Sequence, residues 1–296
     1  MAGVHAELDR LLDAQGGVVT SAQALSILTR RGLEAHVNTG VLQKVWYGVY
    51  GHRKMTTALR LRGLDLATGT TVAVCMGTAA AAYGFDTERT ADLHVLNPAG
   101  RHLRSTDGLI VHRGGGAPLT VAAGRPATAP AWTAIEVARG LRRARALATL
   151  DAALRSGTCG RDELRRSVEQ QSGRRGVVTA RELLAVASPL AESPMESEAR
   201  LVIIDGGMPS PVLQYEVVDL QGCVWRLDFA WPELRVAAEY DGVEWHSGPD
   251  AFVRDRRRSS ALQELGWLIV PIIAEDVRHR PGELLRRLER QLRRAA

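Results

Sequence analysis

The chain has 296 residues, 45% hydrophobic and 24% charged, with a net charge of +5. That length supports two or three domains with real cores, and the composition is that of a soluble globular protein. No run approaches the roughly 20 apolar residues of a bilayer span. The first residues lack a signal peptide's charged-then-apolar layout. Cys75, Cys159 and Cys223 are scattered, without the spacing of a disulfide framework or a zinc site. A cytoplasmic location is expected, with no membrane partner and no organic cofactor. Charge is uneven along the chain. Residues 1–190 carry 24 Lys and Arg against 15 Asp and Glu, and residues 191–296 carry 14 against 18. The first stretch therefore suits a polyanionic partner, whereas the second has carboxylates in excess.

Residues 1–54 read as three short helices and a β-ribbon. "VHAELDRLLDAQGG" sets Leu8, Leu11 and Leu12 on one face and stops at a glycine pair. "TSAQALSILTRRG" opens with Thr20 or Ser21 as N-cap and ends at Gly32. "LEAHVNTGVLQK" reads as the third helix and "VWYGVYG" as a strand with a glycine break. Three helices followed by a β-wing make a winged helix-turn-helix. If the third helix enters the major groove, His36, Asn38, Thr39 and Gln43 reach bases. Arg30, Arg31, Lys44 and Arg53 then lie near phosphates. Trp46, Tyr47 and Tyr50 read as wing core. A winged helix used only for protein contact is the alternative. Winged-helix proteins also pair on palindromes, so a homodimer is one expected state.

Residues 55–190 are less patterned. An Ala-rich helix, "GTAAAAYGF", precedes two strands, "ADLHVL" and "GLIVHR". A Gly/Pro/Ala stretch (114–130) leads into helices rich in Ala, Leu and Arg, and "SGRRGVVTARELLAVASPLAESP" reads as a connector.

Residues 191–296 run helix, hairpin, helix, strand, helix, an α/β module of ordinary domain size. "SPMESEARLVII" starts with Ser193 as N-cap and Pro194 in the first turn. Within "RLDFAWPELRVAAEYDGVEWH", Trp225, Leu227, Phe229 and Trp231 alternate onto one face, as do Val236, Ala238 and Tyr240. Parity then places Asp228, Glu239 and Asp241 together on the other face. Grouped like charges repel. A hard divalent cation, Mg²⁺ or Mn²⁺ in its place, would neutralise them, activate water and stabilise charge on a phosphodiester. Blander readings stand beside this one. Asp228 pairs with Arg226 or Arg235 at a surface, and Asp241-Gly242 is an ordinary turn. Glu196 closes a capping box with Ser193, and His246 is a loop histidine. Arg256 and Arg258 either clamp phosphate or line a solvated helix face.

This last third resembles the restriction-endonuclease-like, PD-(D/E)xK, superfamily, and most closely a branch related to very-short-patch-repair endonucleases. "SPMES", "PVLQ", "RLDFAWP", "VAAEYDGVEWH", "FVRDRRR" and "LGW" carry the likeness over about 100 residues. The resemblance implies that Asp228, Glu239 and the carbonyl of Tyr240 bind the metal. Glu196, or Glu198 in its place, would come from the acidic helix. The superfamily's lysine is Asp241 here, an extra ligand on this reading, and His246 is the candidate general base or water-orienting residue. The zinc ligands of the repair enzymes are missing, so mismatch specificity does not transfer. Residues 1–54 resemble the winged helix of AbiEi-like abortive-infection antitoxins through "GGVVTSAQAL", "RRGL" and "VWYGVYG". "YGF", "DLHV" and "VHR" look like its continuation.

The expected architecture is α/β in a multi-domain α+β chain. It comprises a winged helix-turn-helix (1–54), an antitoxin-like middle region (55–190) and a restriction-endonuclease-like α/β core (191–296). The expected function is a Mg²⁺-dependent DNA endonuclease. The alternative is a non-catalytic DNA-binding regulator or antitoxin with a degenerate nuclease fold. Cleavage of RNA uses the same residues and is a third reading. Phage defence and DNA repair both fit.

Overall fold

The computed structural model describes residues 2–52, 54–88, 91–100, 102–242 and 249–296. It condenses into two compact units, Met1–Ala82 with Glu88–Ala129, and Tyr83–Thr87 with Pro130–Ala296. The expected boundaries at 54 and 190 are not where these units part, for reasons that lie in each one.

The first unit opens with α1 (Ala2–Ala14), β1 (Val18–Thr20), α2 (Ser21–Ile27), α3 (Arg30–Asn38), β2 (Gln43–Trp46) and β3 (Val49–Gly51). Leu8 and Leu12 of α1, Val19, Ala24, Leu28, Leu33 and Leu42 close one small core. β3 lies at the centre of an antiparallel sheet in the order β1-β3-β2. Thr20 caps α2: its hydroxyl accepts from Gln23 N at 3.2 Å while the Gln23 side chain accepts from Thr20 N at 2.9 Å. The third helix stops at Asn38 rather than running to Lys44. Thr39 caps it, and Gly40 takes a left-handed φ of 75°. Gln43 and Lys44 are therefore wing residues, not helix residues.

Helix α4 (Thr57–Thr68), which the sequence pattern did not announce, covers the wing. Trp46 Nε1 donates to the Arg60 carbonyl at 2.7 Å, and Gly63 lies so close to the Trp46 ring that a Cβ would sit 3.0 Å from Cδ1. This packing carries the unit past residue 54. Next come α5 (Met76–Ala82), the parallel pair β4 (Leu93–Leu96) and β5 (Leu109–His112), and a hairpin of β6 (Leu119–Ala122) and β7 (Arg125–Thr128). The hairpin occupies the Gly/Pro/Ala stretch that had no expected strand. Val74 bridges to both Val95 and Ala127 and joins the two pairs. Buried Asp65 ties α4 to them, accepting from Arg125 at 2.8 and 2.7 Å and from Val72 N at 2.9 Å.

The second unit begins with four helices: α6 (Pro130–Ala138), α7 (Arg143–Arg155), α8 (Arg161–Gln170) and α9 (Val177–Val186). The expected connector contains α9, which buries Val177, Ala180, Leu183 and Leu184. Gly176 precedes it with φ 82°, where a Cβ would meet the Arg139 carbonyl oxygen at 2.0 Å. Then follow α10 (Pro194–Asp205), β8 (Val212–Val218), β9 (Val224–Trp231), a 3-10 turn, β10 (Val236–Tyr240), α11 (Pro249–Glu264), β11 (Leu268–Ile272), α12 (Ala274–Arg278) and α13 (Pro281–Ala295). Ser193 caps α10 and Pro194 stands in its first turn, as the sequence indicates. The sheet runs β11-β10-β9-β8, with β10 and β11 parallel and the other pairs antiparallel. Pro271 is accommodated because β11 is an edge strand.

Two apolar clusters sandwich this sheet. Phe229, Trp231, Val236 and Ala238 meet Ala199 and Ile203 of α10 and Leu284, Leu288 and Leu292 of α13. Leu227, Ala230 and Ala237 meet Leu262 of α11. Asp151 of α7 accepts from Arg200 of α10 at 2.6 Å with both side chains buried, and Ser188 N donates to Asp151 at 2.7 Å. Helices and sheet thus share one interior, and no seam falls near 190. The whole is the mixed, multi-domain α+β class expected.

Candidate functional site

On the winged helix, Thr29 caps α3 by accepting from Gly32 N at 3.1 Å, and Arg30 and Arg31 emerge exposed in the first turn. The free N–H groups of that turn add positive potential beside them. Asn38 and Thr39 are exposed at the other end, where the Thr39 hydroxyl donates to the Ala35 carbonyl at 2.8 Å and is spent on capping. His36 is half-buried and turned toward α1. Its Nδ1 lies 2.7 Å from the Gly32 carbonyl and its Nε2 lies 3.2 Å from Nδ1 of His5 on α1. With Nδ1 donating, Nε2 accepts from His5 and is not presented to a base. Gln43 and Lys44 are exposed on β2, so they reach outward from the wing. Arg53 lies outside the described residues.

The wing also corrects the reading of its aromatics. Trp46 is buried and Tyr50 half-buried, but Tyr47 is 94% exposed at the β2–β3 turn, with Lys44 Nζ 5.7 Å from its ring centroid. The signal was there in "YG": a two-residue turn puts the first residue at the tip, outside the alternation.

In the second unit the acids gather differently from the expected parity. Leu213 and Phe229, which are paired, belong to the α10 side. Tyr215 and Leu227, also paired, belong to the α11 side. Both strands change face between these pairs. Gln214, at the switch on β8, has φ 50°, a left-handed conformation uncommon outside glycine. Beyond the Ala238–Phe229 pair the ladder gives way, and Asp228 Oδ2 accepts the Tyr240 N–H at 2.9 Å. Gln214 Nε2 donates to Glu196 Oε2 at 3.1 Å and reaches Asp228 Oδ1 at 3.5 Å. Glu196 also accepts from Glu192 N at 2.9 Å, while its own N–H donates to Ser193. The capping role and the clustering role therefore coexist.

Burial, and next the Glu196 carboxylate, push Asp228 up to about 6; Glu239 adds to the rise, and the Tyr240 N–H and Gln214 oppose it. Burial raises the Glu196 carboxyl as well. Glu198 behaves oppositely. Burial would raise it, but hydrogen bonds from Arg278 and Arg145 hold it below the usual carboxylate range. Glu196, not Glu198, is thus the helix acid that joins Asp228. Asp241 is exposed beyond β10, where its N–H donates to Ile272 at 2.8 Å. His246 lies outside the described residues.

Glu239 has the parity of Ala237 and faces α11. There Arg258 donates to both of its carboxylate oxygens, one at 2.7 Å, and also to the Arg226 carbonyl at 3.1 Å. Arg258 is therefore a counter-ion inside the unit, whereas Arg256 remains exposed on α11. Among the described residues, no group of three His, Cys, Asp or Glu side chains is arranged to hold a metal. For Mg²⁺ the donor chemistry of Asp228, Glu239 and the Tyr240 carbonyl is right, but Glu239 is already engaged at both oxygens. The set as arranged does not fit the ion.

One comparison with known proteins concerns the middle of the chain. Residues 72–186 match the AbiEi antitoxin C-terminal domain. The whole chain then has close relatives in Mycobacterium tuberculosis. Uncharacterized protein MT2308 (strain CDC 1551) and uncharacterized protein Rv2248 (strain H37Rv) are each 56% identical over 268 residues, covering 90% of this chain and 98% of theirs. The chain belongs to one family with them. The crystal structure of Rv2827c protein from Mycobacterium tuberculosis aligns with a TM-score of 0.41 at 17% identity, over 68% of this chain and 83% of that one. Among the described residues, no helix is long and apolar enough to cross a membrane.

Proposed function

We propose that the protein is a DNA-binding regulator of the abortive-infection antitoxin type. The observation that carries this reading is the match to the AbiEi antitoxin C-terminal domain at residues 72–186, preceded by a winged helix that exposes Arg30, Arg31 and Lys44. Arg30 and Arg31 supply phosphate contacts from the start of α3, and Lys44 and Tyr47 supply them from the wing. Asn38 and Gln43 are the base-reading candidates left once His36 is engaged by His5 and Thr39 by capping.

A metal-dependent DNA endonuclease is the second reading, favoured by one observation. Glu196 and Asp228 are held together in a half-buried polar group around a left-handed Gln214, and strain of this kind collects at functional sites. That reading requires Arg258 to release Glu239, since the acids as arranged do not fit Mg²⁺.

One experiment separates the two. Full-length protein is titrated onto duplex DNA at several salt concentrations, alongside Arg30→Ala/Arg31→Ala. The same proteins, with Asp228→Ala and Glu239→Ala, are incubated with supercoiled plasmid and RNA in Mg²⁺, Mn²⁺ or chelator. Salt-sensitive binding that weakens in the arginine variant, without cleavage, supports the regulator. Metal-dependent cleavage lost in both acid variants would replace it with the nuclease and identify the polymer cut.

A further inference from the structure

Helix α13 is strongly basic, with five arginines against two glutamates over Pro281–Ala295. Basic amphipathic helices commonly lie in a lipid interface by their apolar face. Here that face is already used, because Leu284 and Leu288 are 0% exposed and Leu292 is 6% exposed in the core beneath the sheet. Two of the arginines also have structural work. Arg287 binds Asp276 at 2.8 Å and the Pro271 carbonyl at 2.7 Å, and Arg293 pairs with Glu289 at 2.6 Å. Arg286, Arg290 and Arg294 remain, all exposed and without a hydrogen bond or ion pair among the described residues. They recur every four residues, so they stand about 6 Å apart along one line.

Several arginines of this unit are matched to buried or half-buried acids: Arg200 to Asp151, Arg145 and Arg278 to Glu198, Arg258 to Glu239. Three in a row left unmatched, on a stretch of chain that is otherwise net acidic, are not needed for folding. We infer that Arg286, Arg290 and Arg294 form a second DNA-contacting surface that grips the phosphate backbone of duplex DNA without reading sequence. The inference rests on the DNA-binding reading above, and places a second contact in the C-terminal unit. Regularly spaced guanidiniums match a regular line of phosphates, which they hold through charge and paired N–H donors.

The test uses the full-length protein and a short fluorescent duplex of random sequence, with affinity measured against salt concentration. Wild type is compared with the triple alanine variant (Arg286, Arg290 and Arg294→Ala), the matching triple lysine variant, and Arg30→Ala/Arg31→Ala. Vesicles rich in phosphatidylserine form a parallel arm. Alanine is the best helix former and the positions are exposed, so the alanine variant retains the fold, which thermal unfolding verifies. The expected result is a salt slope reduced by about 2–3 in the alanine variant, at about 0.9 per phosphate contact. Lysine should restore it, and vesicles should not bind. An unchanged slope in the alanine variant, beside a weakened Arg30/Arg31 variant, overturns this surface and leaves the winged-helix reading standing. Binding to vesicles but not to duplex overturns it in favour of a lipid surface. Wild type without duplex affinity overturns both readings.

Discussion

The winged helix and the C-terminal sheet treat charge in opposite ways. On the winged helix, Arg30, Arg31, Lys44 and the 94% exposed Tyr47 face solvent, and the core beneath them is wholly apolar. Around the sheet, charges are drawn inside and closed upon one another: Asp151 on Arg200, Glu198 on Arg145 and Arg278, Glu239 on Arg258. Charges left in water add little to stability and are free to bind. Charges taken from water must be matched, and then they specify packing and are costly to unmatch. The first region therefore has the physics of a contact surface, and the second that of an interior whose acids answer first to their neighbours. Glu196 and Asp228, bridged by Gln214, depart from that rule.

The contrast breaks most sharply at Asp151. Asp151→Ala leaves Arg200 buried without its partner and should cost about 3–5 kcal/mol, measured by denaturant unfolding, with DNA affinity per folded molecule unchanged. A loss below about 1 kcal/mol would mean that the pair is not a structural one.

Asp228 should respond in the other direction. Its carboxyl titrates near 6 when folded and near 3.9 when unfolded, so between those values the native state holds the extra proton. Its contribution to stability is thus full below about pH 4 and is lost as pH rises to about 6. Asp228→Asn should flatten that decline and raise stability at neutral pH by about 2 kcal/mol, after allowance for partial exposure. Equal pH profiles for variant and wild type would show that Asp228 is ionised and matched like the other acids.

Thr20→Ala removes half of the capping box of α2 and should cost about 1 kcal/mol, read as a lowered unfolding temperature. The smallest effect on stability belongs to Tyr47→Ala, within about 0.5 kcal/mol, because the ring buries almost nothing. DNA binding should nonetheless weaken. A stability loss with unaltered binding would return Tyr47 to the wing core.

Much of this was legible in the residues. Thr20 and Gln23 declare the start of α2, Ser193 and Pro194 the start of α10, and the repeat of leucines in "ELLRRLERQL" the buried stripe of α13. Capping and periodicity act within a few residues, so the sequence states them directly. Glu196, Asp228 and Glu239 could likewise be picked out as acids in need of a partner.

What they would meet could not. Helix α4 was missed because its faces are all partly apolar and its role appears only against Trp46. Helix α9 was missed because a Gly-rich approach and a short length resemble a linker until Leu183 and Leu184 are seen to be covered. Period-two parity failed at Gln214, where one left-handed residue lets both strands change face, and parity is only as good as the regularity it assumes. His36 was withdrawn by His5, and Glu239 was claimed by Arg258, both far away in the chain. The sequence by itself determined where helices start, which faces are apolar and which acids need answering, since these are set by neighbours along the backbone. Only the tertiary structure decided which charge answers which, because that depends on elements brought together by burial, over separations that local chemistry does not record.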